Sequence, residues 1–508
     1  MTDVRSVGTP NASRVSTPSK ALVAICAVGV ALVTTLLVLN GPAVGLVAVA
    51  ALLIVFCVIK SPDMAVFVVV FILYSNIAAV ASRFHGVPQA VAALFILLLA
   101  VPFVRDAVVR RQGLVLTHAL PLIVSLLVVQ VLGALFSENI EVTRAAIMEF
   151  VAEGLLVYFL ITNVVRTPRV LRLAVWALLL AGFVTTLVPI YQQLSGSFQH
   201  QYGGFGQLSE TAFRTGEVTS SGEGRQFRIA ATIGEQNRYA QNMLMLLPLG
   251  FLLCLGTRSK KWRLLALGLT GFAAVGFLLA FSRGGAVAFV LVTGVMVLMR
   301  VFAWRHALVC GLALMLAFVA LPQYWARLTT LSDVSTIFSG TISTDENVDS
   351  ALKGRVTEMV AAALVFADHP VVGVGPRMFK FYSQEYGNEL GIRQLKEARK
   401  AHSLYLEIAA ENGALGIVCF FGMVAVTLGG TLRARRRWLD MGDVEMANIS
   451  LGLFFALMAY LASALFLHLS YIRFFYLVLA LAGSAAWIAR HTGLPRQGAE
   501  IEGHVAAD

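Results

Sequence analysis

From Leu173 to Leu194 the chain reads LAVWALLLAGFVTTLVPIYQQL, 22 residues without a single charge. Arg166, Arg169 and Arg172 stand immediately before it. A hydrocarbon core about 30 Å thick is crossed by ~20 apolar residues in a helix. The run is therefore read as a membrane span. Basic residues on one flank only say which flank faces the cytoplasm. The composition agrees with this reading. Of 508 residues, 58% are hydrophobic and only 13% charged, against about 25% charged in a soluble domain. Too little charge is present to cover a water-facing surface, which excludes a soluble enzyme, a disordered chain and a coiled coil. Cys26, Cys57, Cys254, Cys310 and Cys419 all lie in apolar runs without a CxxC spacing, so neither a zinc site nor a disulfide scaffold is indicated.

The pattern recurs in fourteen runs. The first seven are Leu22–Leu39, Pro42–Ile59, Met64–Ala81, Val91–Val104, His118–Phe136, Ala146–Val165 and Leu173–Leu194. The second seven are Tyr239–Gly256, Leu264–Phe281, Ala286–Val301, Ala307–Leu321, Ala414–Gly429, Leu451–Leu469 and Ile472–Ala489. The short Val91–Val104 run is also compatible with a re-entrant segment. Continuous apolar character, without two-residue alternation, selects helices over a barrel. The expectation is an all-α polytopic membrane protein with about 12–14 transmembrane helices.

With the N-terminus in the cytoplasm, 22 of the 39 basic residues fall in inside loops and tails. Short outside loops hold only 4: Arg83, Arg144, Arg283 and Arg473. That asymmetry orients the chain with both termini cytoplasmic. The net charge of +11 is then mainly a topology signal, not a nucleic-acid footprint. No cleavable signal peptide is evident, and the first run reads as an uncleaved anchor. The expected organisation is a tail at 1–20 and eleven spans over 21–321, including an outer loop at 195–238. A large outer loop follows at 322–413, then three spans at 414–489 and a tail at 490–508.

The large outer loop is too long to be structureless. Val356–Phe366 reads as an amphipathic helix, His369–Gly375 as a turn, and His402–Asn412 as a helical lead into the next span. Topology brings Arg228, Arg283, Arg355 and His402 to one face of the membrane. An arginine at a membrane boundary needs a counter-charge or water, and a guanidinium suits bidentate phosphate contact. Bland alternatives stand beside each: snorkelling for Arg283, a solvated charge for Arg228 and Arg355, an interfacial histidine for His402. Glu149 and Glu153, four apart on one helix face, either line a polar cavity or form a buried pair satisfied by backbone or water.

Ala401-His402-Ser403-Leu404-Tyr405-Leu406-Glu407 continues to Glu411-Asn412-Gly413-Ala414-Leu415-Gly416. His369-Pro370 and Gly373-Val374-Gly375 precede it, with Ser282-Arg283-Gly284-Gly285 and Gly234–Asn237 further upstream. In order and spacing this set resembles the O-antigen ligase and O-antigen polymerase superfamily, most strongly from about Arg228 to Gly416. The N-terminal half matches only by hydropathy, and there are more spans than the twelve expected of the ligase. The resemblance implies a glycosyltransferase of the GT-C type in the bacterial cytoplasmic (inner) membrane, with its active site facing the periplasm. Its donor would be a glycan linked through diphosphate to undecaprenol; its acceptor would be lipid A–core in the ligase branch or another lipid-linked glycan in the polymerase branch. Membrane lipid is the surrounding partner, and no nucleic acid is implied. Arg283, Arg355 and His402 match the family's catalytic positions, with Arg228, Asn237 and Ser282 as substrate-binding candidates.

The residues fit that chemistry on their own. Fixed guanidinium groups can stabilise a departing diphosphate without a metal, so no cofactor is expected, although Asp345, Glu346 and Asp349 are candidates for a cation site. His402 can act as general base for an acceptor hydroxyl, and direct attack inverts the anomeric carbon. The competing reading is a transporter or flippase of lipid-linked oligosaccharide. It would place ionisable residues at mid-membrane and needs no large outer loop. The orientation has a direct check: cysteines placed near Gly222 and Gly340 should react with a membrane-impermeant thiol reagent in intact cells, and one near Arg435 should not. The reverse labelling pattern would overturn the orientation.

Overall fold

A computed structural model describes residues 56–208 except 59, then 228–301 (302 and 303 apart), 304, 350–389, 400–468 and 472–493. Contacts divide the chain into two compact units, Met1–Pro62 and Asp63–Asp508. The expected spans at Leu22–Leu39 and Ala307–Leu321 lie outside the described residues, as does nearly all of Pro42–Ile59.

The second unit is helical. Its elements are α1 (Asp63–Ser75), α2 (Ile77–Phe84), α3 (Ala119–Ala134), α4 (Ile140–Val164), α5 (Pro168–Ser195), α6 (Gln236–Gly256), α7 (Lys260–Leu279) and α8 (Arg283–Leu298). Then come α9 (Ser350–Asp368), α10 (Phe379–Glu389), α11 (Leu404–Asp440), α12 (Val444–Ser463) and α13 (Ile472–His491). One small antiparallel pair, β1 (Gln207–Leu208) with β2 (Ile229–Ala231), ties the loop after α5 to the start of α6.

Among the described residues, seven helices are long and apolar enough to cross a membrane, or eight if the bent pair α1–α2 is one span. The chain is an all-α polytopic membrane protein. Three departures from the sequence expectation have local causes. The Met64–Ala81 run is broken by 56° at Asn76, which adopts a left-handed conformation that asparagine tolerates better than most residues. The Val91–Val104 run is no single span: it is divided among Gln89–Ala93, a 3₁₀ turn at Leu94–Leu99 and Ala100–Val104. And α4 carries a π-helical turn at Phe150–Leu156. Ala119–Ala134 and Arg283–Leu298 are helical but shorter than a full span.

The core is α6, α12 and α13, whose apolar windows are 78%, 83% and 83% buried. Lipid tails are as apolar as leucine, so close packing and interhelical hydrogen bonds hold such helices together. Tyr74 donates to the Asn242 carbonyl (2.6 Å), Gln241 to the Tyr460 carbonyl (3.1 Å), and the Tyr239 and Thr186 hydroxyls meet at 2.9 Å. Small residues mark the crossings: a Cβ on Gly452 would sit 2.8 Å from a Leu249 methyl.

The helix α11 is interrupted at Gly413, with φ 62° and ψ −164°, a region essentially reserved for glycine. The Pro370–Gly375 turn docks on this break. Val374 N–H donates to the Ala410 carbonyl (3.0 Å) and Gly375 N–H to the Glu411 carbonyl (3.0 Å). In return Ala414 N–H donates to the Pro370 carbonyl (2.7 Å) and Leu415 N–H to the Val371 carbonyl (3.3 Å). A Cβ on Gly373 would fall 2.4 Å from the Glu411 carbonyl carbon, and one on Gly413 2.3 Å from the Val371 backbone. Both glycines are thus required by backbone-to-backbone contact. Gly413→Ala should lower stability in detergent by more than the ~1–3 kcal/mol of a forced backbone conformation. Gly442→Ala, at φ 76° but with open space around it, should cost only the conformational part. Equal thermal shifts for the two variants would reject the docking account.

Candidate functional site

Chain direction sets which helix ends meet. The starts of α6, α8, α11 and α13 lie with the ends of α3, α5, α7 and α12, and side-chain contacts stitch these ends together. Asn76 is one stitch: its amide donates to the Thr232 carbonyl (2.7 Å) and its Oδ1 accepts from Arg473 (2.6 Å). Arg473 also pairs with Glu153 (2.7 Å), within the π-turn of α4. Arg377, just after the docked turn, pairs with Glu149. The two glutamates are therefore not a buried carboxylate pair; half-exposed, each holds its own arginine.

Three of the candidate residues form one hydrogen-bonded group. Arg228 Nη2 donates to Asn237 Oδ1 (2.9 Å), and the Ser282 hydroxyl donates to the same oxygen (3.0 Å). Arg228 Nε reaches the Ala280 carbonyl (3.3 Å). Ser282 is also the N-cap of α8, accepting from Gly285 N–H (3.2 Å), as serine does at helix starts. Half-buried Arg283 is the first residue of that helix. The two glycines after it answer to packing: a Cβ on Gly284 would lie 3.1 Å from Phe466, and one on Gly285 3.1 Å from Phe277.

His402 belongs to a second group. Its Nδ1 lies 2.6 Å from Oε2 of the fully buried Glu358 and 3.0 Å from the Lys400 carbonyl. The glutamate approach is a close contact without hydrogen-bond alignment; the aligned hydrogen bond goes to the carbonyl. The carbonyl can only accept, which places a proton on Nδ1; in the neutral ring Nε2 then carries the lone pair. Among the described residues Nε2 has no partner. Arg355 is half-buried on α9, three residues before Glu358 and so on the same helix face.

The segment after α12 joins the groups. Phe466 covers Gly284, Leu404 N–H donates to the Ala464 carbonyl (3.0 Å), and buried Arg238, next to Asn237, donates to the His468 carbonyl. The His468 and His402 rings meet edge to face, centroids 5.8 Å apart. Burial, then the positive charges of Arg238 and Lys400, hold the His468 imidazole well below the ordinary histidine value. Its Nδ1 is closed off from solvent without a hydrogen-bond partner, which an unprotonated nitrogen tolerates better than an N–H.

Backbone strain concentrates here too. Ala231, Phe281, Arg377 and His402 all have φ between 47° and 61°. Such conformations cost of order 1–3 kcal/mol and persist where surrounding structure enforces them, often at functional sites. Sequence reasoning missed Glu358, Arg238, Arg377, Arg473 and His468. Glu358 lay within the amphipathic helix read at Val356–Phe366, one turn from Arg355, and that offset was its only signal. Among the described residues no cluster of three or more metal-binding side chains occurs; Asp345, Glu346 and Asp349 lie outside them. Histidine-labelled protein examined by nitrogen NMR should show no protonation step for His468 near ~6.5, where an unperturbed histidine titrates. A step there that His468→Gln removes would reject the buried, cation-flanked environment.

Residues 268–421 match a protein-family model described as O-antigen ligase. The matched stretch holds Arg283, Arg355 and His402 but not Arg228, Asn237 or His468. No curated protein matches the chain. The family match supports the resemblance to the O-antigen ligase and polymerase superfamily and a membrane glycosyltransferase-type function.

Proposed function

We propose that the chain transfers a glycan from a polyprenyl-diphosphate donor to a hydroxyl acceptor, at the outer face of a bacterial inner membrane, in the manner of O-antigen ligases and polymerases. The observation that carries this is the state of His402. Its Nδ1–H faces Glu358 and the Lys400 carbonyl, and its Nε2 lone pair is unengaged among the described residues, inside the segment matching the family.

The chemistry follows from that arrangement. His402 Nε2 takes the proton of the acceptor hydroxyl as its oxygen attacks the anomeric carbon. The bond from that carbon to the diphosphate oxygen breaks, and the sugar inverts. The proton remains on His402, where the Glu358 carboxylate stabilises the imidazolium, the role a carboxylate plays behind a catalytic histidine. Negative charge grows on the departing diphosphate. Arg283 and Arg355 stabilise it by electrostatic preorganisation, and Arg228, held by Asn237 and Ser282, helps seat the donor. Metal independence and the periplasmic orientation belong to this proposal; the orientation rests on the basic-residue asymmetry.

Purified protein given a defined lipid-linked donor, with and without lipid A–core, tests the reading and separates ligase from polymerase. Transfer should survive EDTA. His402→Ala should insert normally and lose roughly 10²–10⁴-fold in transfer, the usual loss for a removed general base. Arg283→Lys and Arg355→Lys should each lose ~10²-fold or more, on the scale of removing one preorganised donor, since an ammonium lacks the planar fork. Donor binding should fall less than turnover, because only interactions that strengthen in the transition state speed the reaction. Near-normal transfer by His402→Ala at matched protein levels would sink the base assignment. Loss of activity on chelation, restored by magnesium, would sink metal independence.

A further inference from the structure

The end of the bundle away from His402 holds a cavity where the start of α3, the later parts of α4 and α11, and the end of α13 converge. Its walls are mainly apolar, and Gly430 and Gly483 line it where Ala486 and Tyr158 close in: a Cβ there would fall 3.0 Å from the Ala486 methyl and 2.9 Å from the Tyr158 hydroxyl. On one wall the Thr117 and Tyr158 hydroxyls meet at 2.6 Å. At the rim Arg490 Nη1 donates to His118 Nε2 (2.7 Å). A neutral imidazole nitrogen accepts that bond, so the guanidinium charge is left uncompensated. Arg433 stands three residues beyond Gly430, on the same face of α11. Its Nε is bonded only to the Gly429 carbonyl of its own helix (3.1 Å). Among the described residues neither Arg433 nor Arg490 pairs with a carboxylate.

We propose that this cavity binds an anionic phospholipid, its phosphate held by Arg490 and Arg433 and an acyl chain lying along the apolar wall. An arginine at a membrane boundary requires a counter-charge or water, and basic pockets between transmembrane helices receive acidic headgroups. The mixture of apolar wall and cationic rim fits an amphiphile better than a free anion, which would gain nothing from Leu116, 67% exposed beside the rim. Trp487 lines the cavity and stacks on His491, centroids 4.2 Å apart, as aromatic side chains do at headgroup level. The basic-residue asymmetry assigns this end to the cytoplasmic leaflet. The lipid is thus a partner separate from the donor at the other face, and the inference stands whether or not the chain transfers glycan.

Trp487 supplies the probe. Full-length protein in nanodiscs would be titrated with brominated phosphatidylglycerol or brominated phosphatidylcholine, and the Trp487 signal isolated by subtracting Trp487→Phe. The acidic lipid should quench it at several-fold lower mole fraction. Arg490→Gln and Arg433→Gln should each erode that preference by about fivefold, the worth of one basic residue near an acidic surface. Arg433 bonds only within its own helix, so Arg433→Gln keeps the test valid if Arg490→Gln folds poorly. Equal quenching by the two lipids would overturn the proposal. So would relief of quenching by millimolar inorganic phosphate, which would make this a free-anion site. A preference unchanged in both variants would also reject the arginines as the headgroup contacts.

Discussion

A buried helix cannot be broken unless another segment satisfies the backbone groups the break releases. The interruption of α11 at Gly413 meets that condition through the Pro370–Gly375 turn, with two hydrogen bonds given and two received. Much else is registered by this exchange. It fixes where α9 ends and α10 begins, and so places Glu358 against His402 and Arg377 against Glu149. It also fixes α3, because Gly133 packs on Gly375 with no room for a side chain. A single backbone contact therefore couples the segment outside the helix bundle to the helices.

Length and apolar continuity made the spans legible. Every expected run wholly within the described residues is helical, though Met64–Ala81 is bent and Val91–Val104 is divided. What the sequence did not disclose is which helices lie inside the bundle. The window of α7 is 33% buried and that of α13 is 83% buried, yet both read as uniformly apolar. In water a buried face is marked by contrast with a polar one. In lipid both surroundings are apolar and the contrast vanishes. The bend at Asn76 was hidden for a different reason. A left-handed asparagine amid Leu-Tyr-Ser-Asn-Ile has no strong local signature, and the conformation is held by Thr232 and Arg473, far away in sequence.

The site was half legible, and the halves divide by range. Ser282-Arg283-Gly284-Gly285 and Ala401-His402-Ser403 are short patterns whose residues act together locally: a cap, a first helical residue, two positions without room for a side chain. Arg238 comes from α6, His468 from the segment after α12, and Arg473 from the start of α13. Only the folded chain brings them to His402 or its neighbours. Glu149 and Glu153 show the opposite hazard. Their four-residue spacing suggested a pair, but the π-turn shifts the register between them, and each finds an arginine from a different segment.

The charge arrangement separates architecture from chemistry. Arg377 and Arg473 each have a carboxylate, and those ion pairs join helices. The surroundings of His468 are different: burial acts on it first, then the cationic Arg238 and Lys400. A positive field in a partly buried site raises the cost of protonating any histidine within it. Glu358, fully buried, stands against the Nδ1 of His402. Of two adjacent imidazoles, one is held neutral and the other has a buried glutamate against its ring nitrogen. In the proposed transfer, a base that accepts a proton while anionic charge is released nearby would use that asymmetry. The buried Glu358 supplies it, and for that reason this residue, invisible as a motif, belongs to the proposed site together with the histidine it faces.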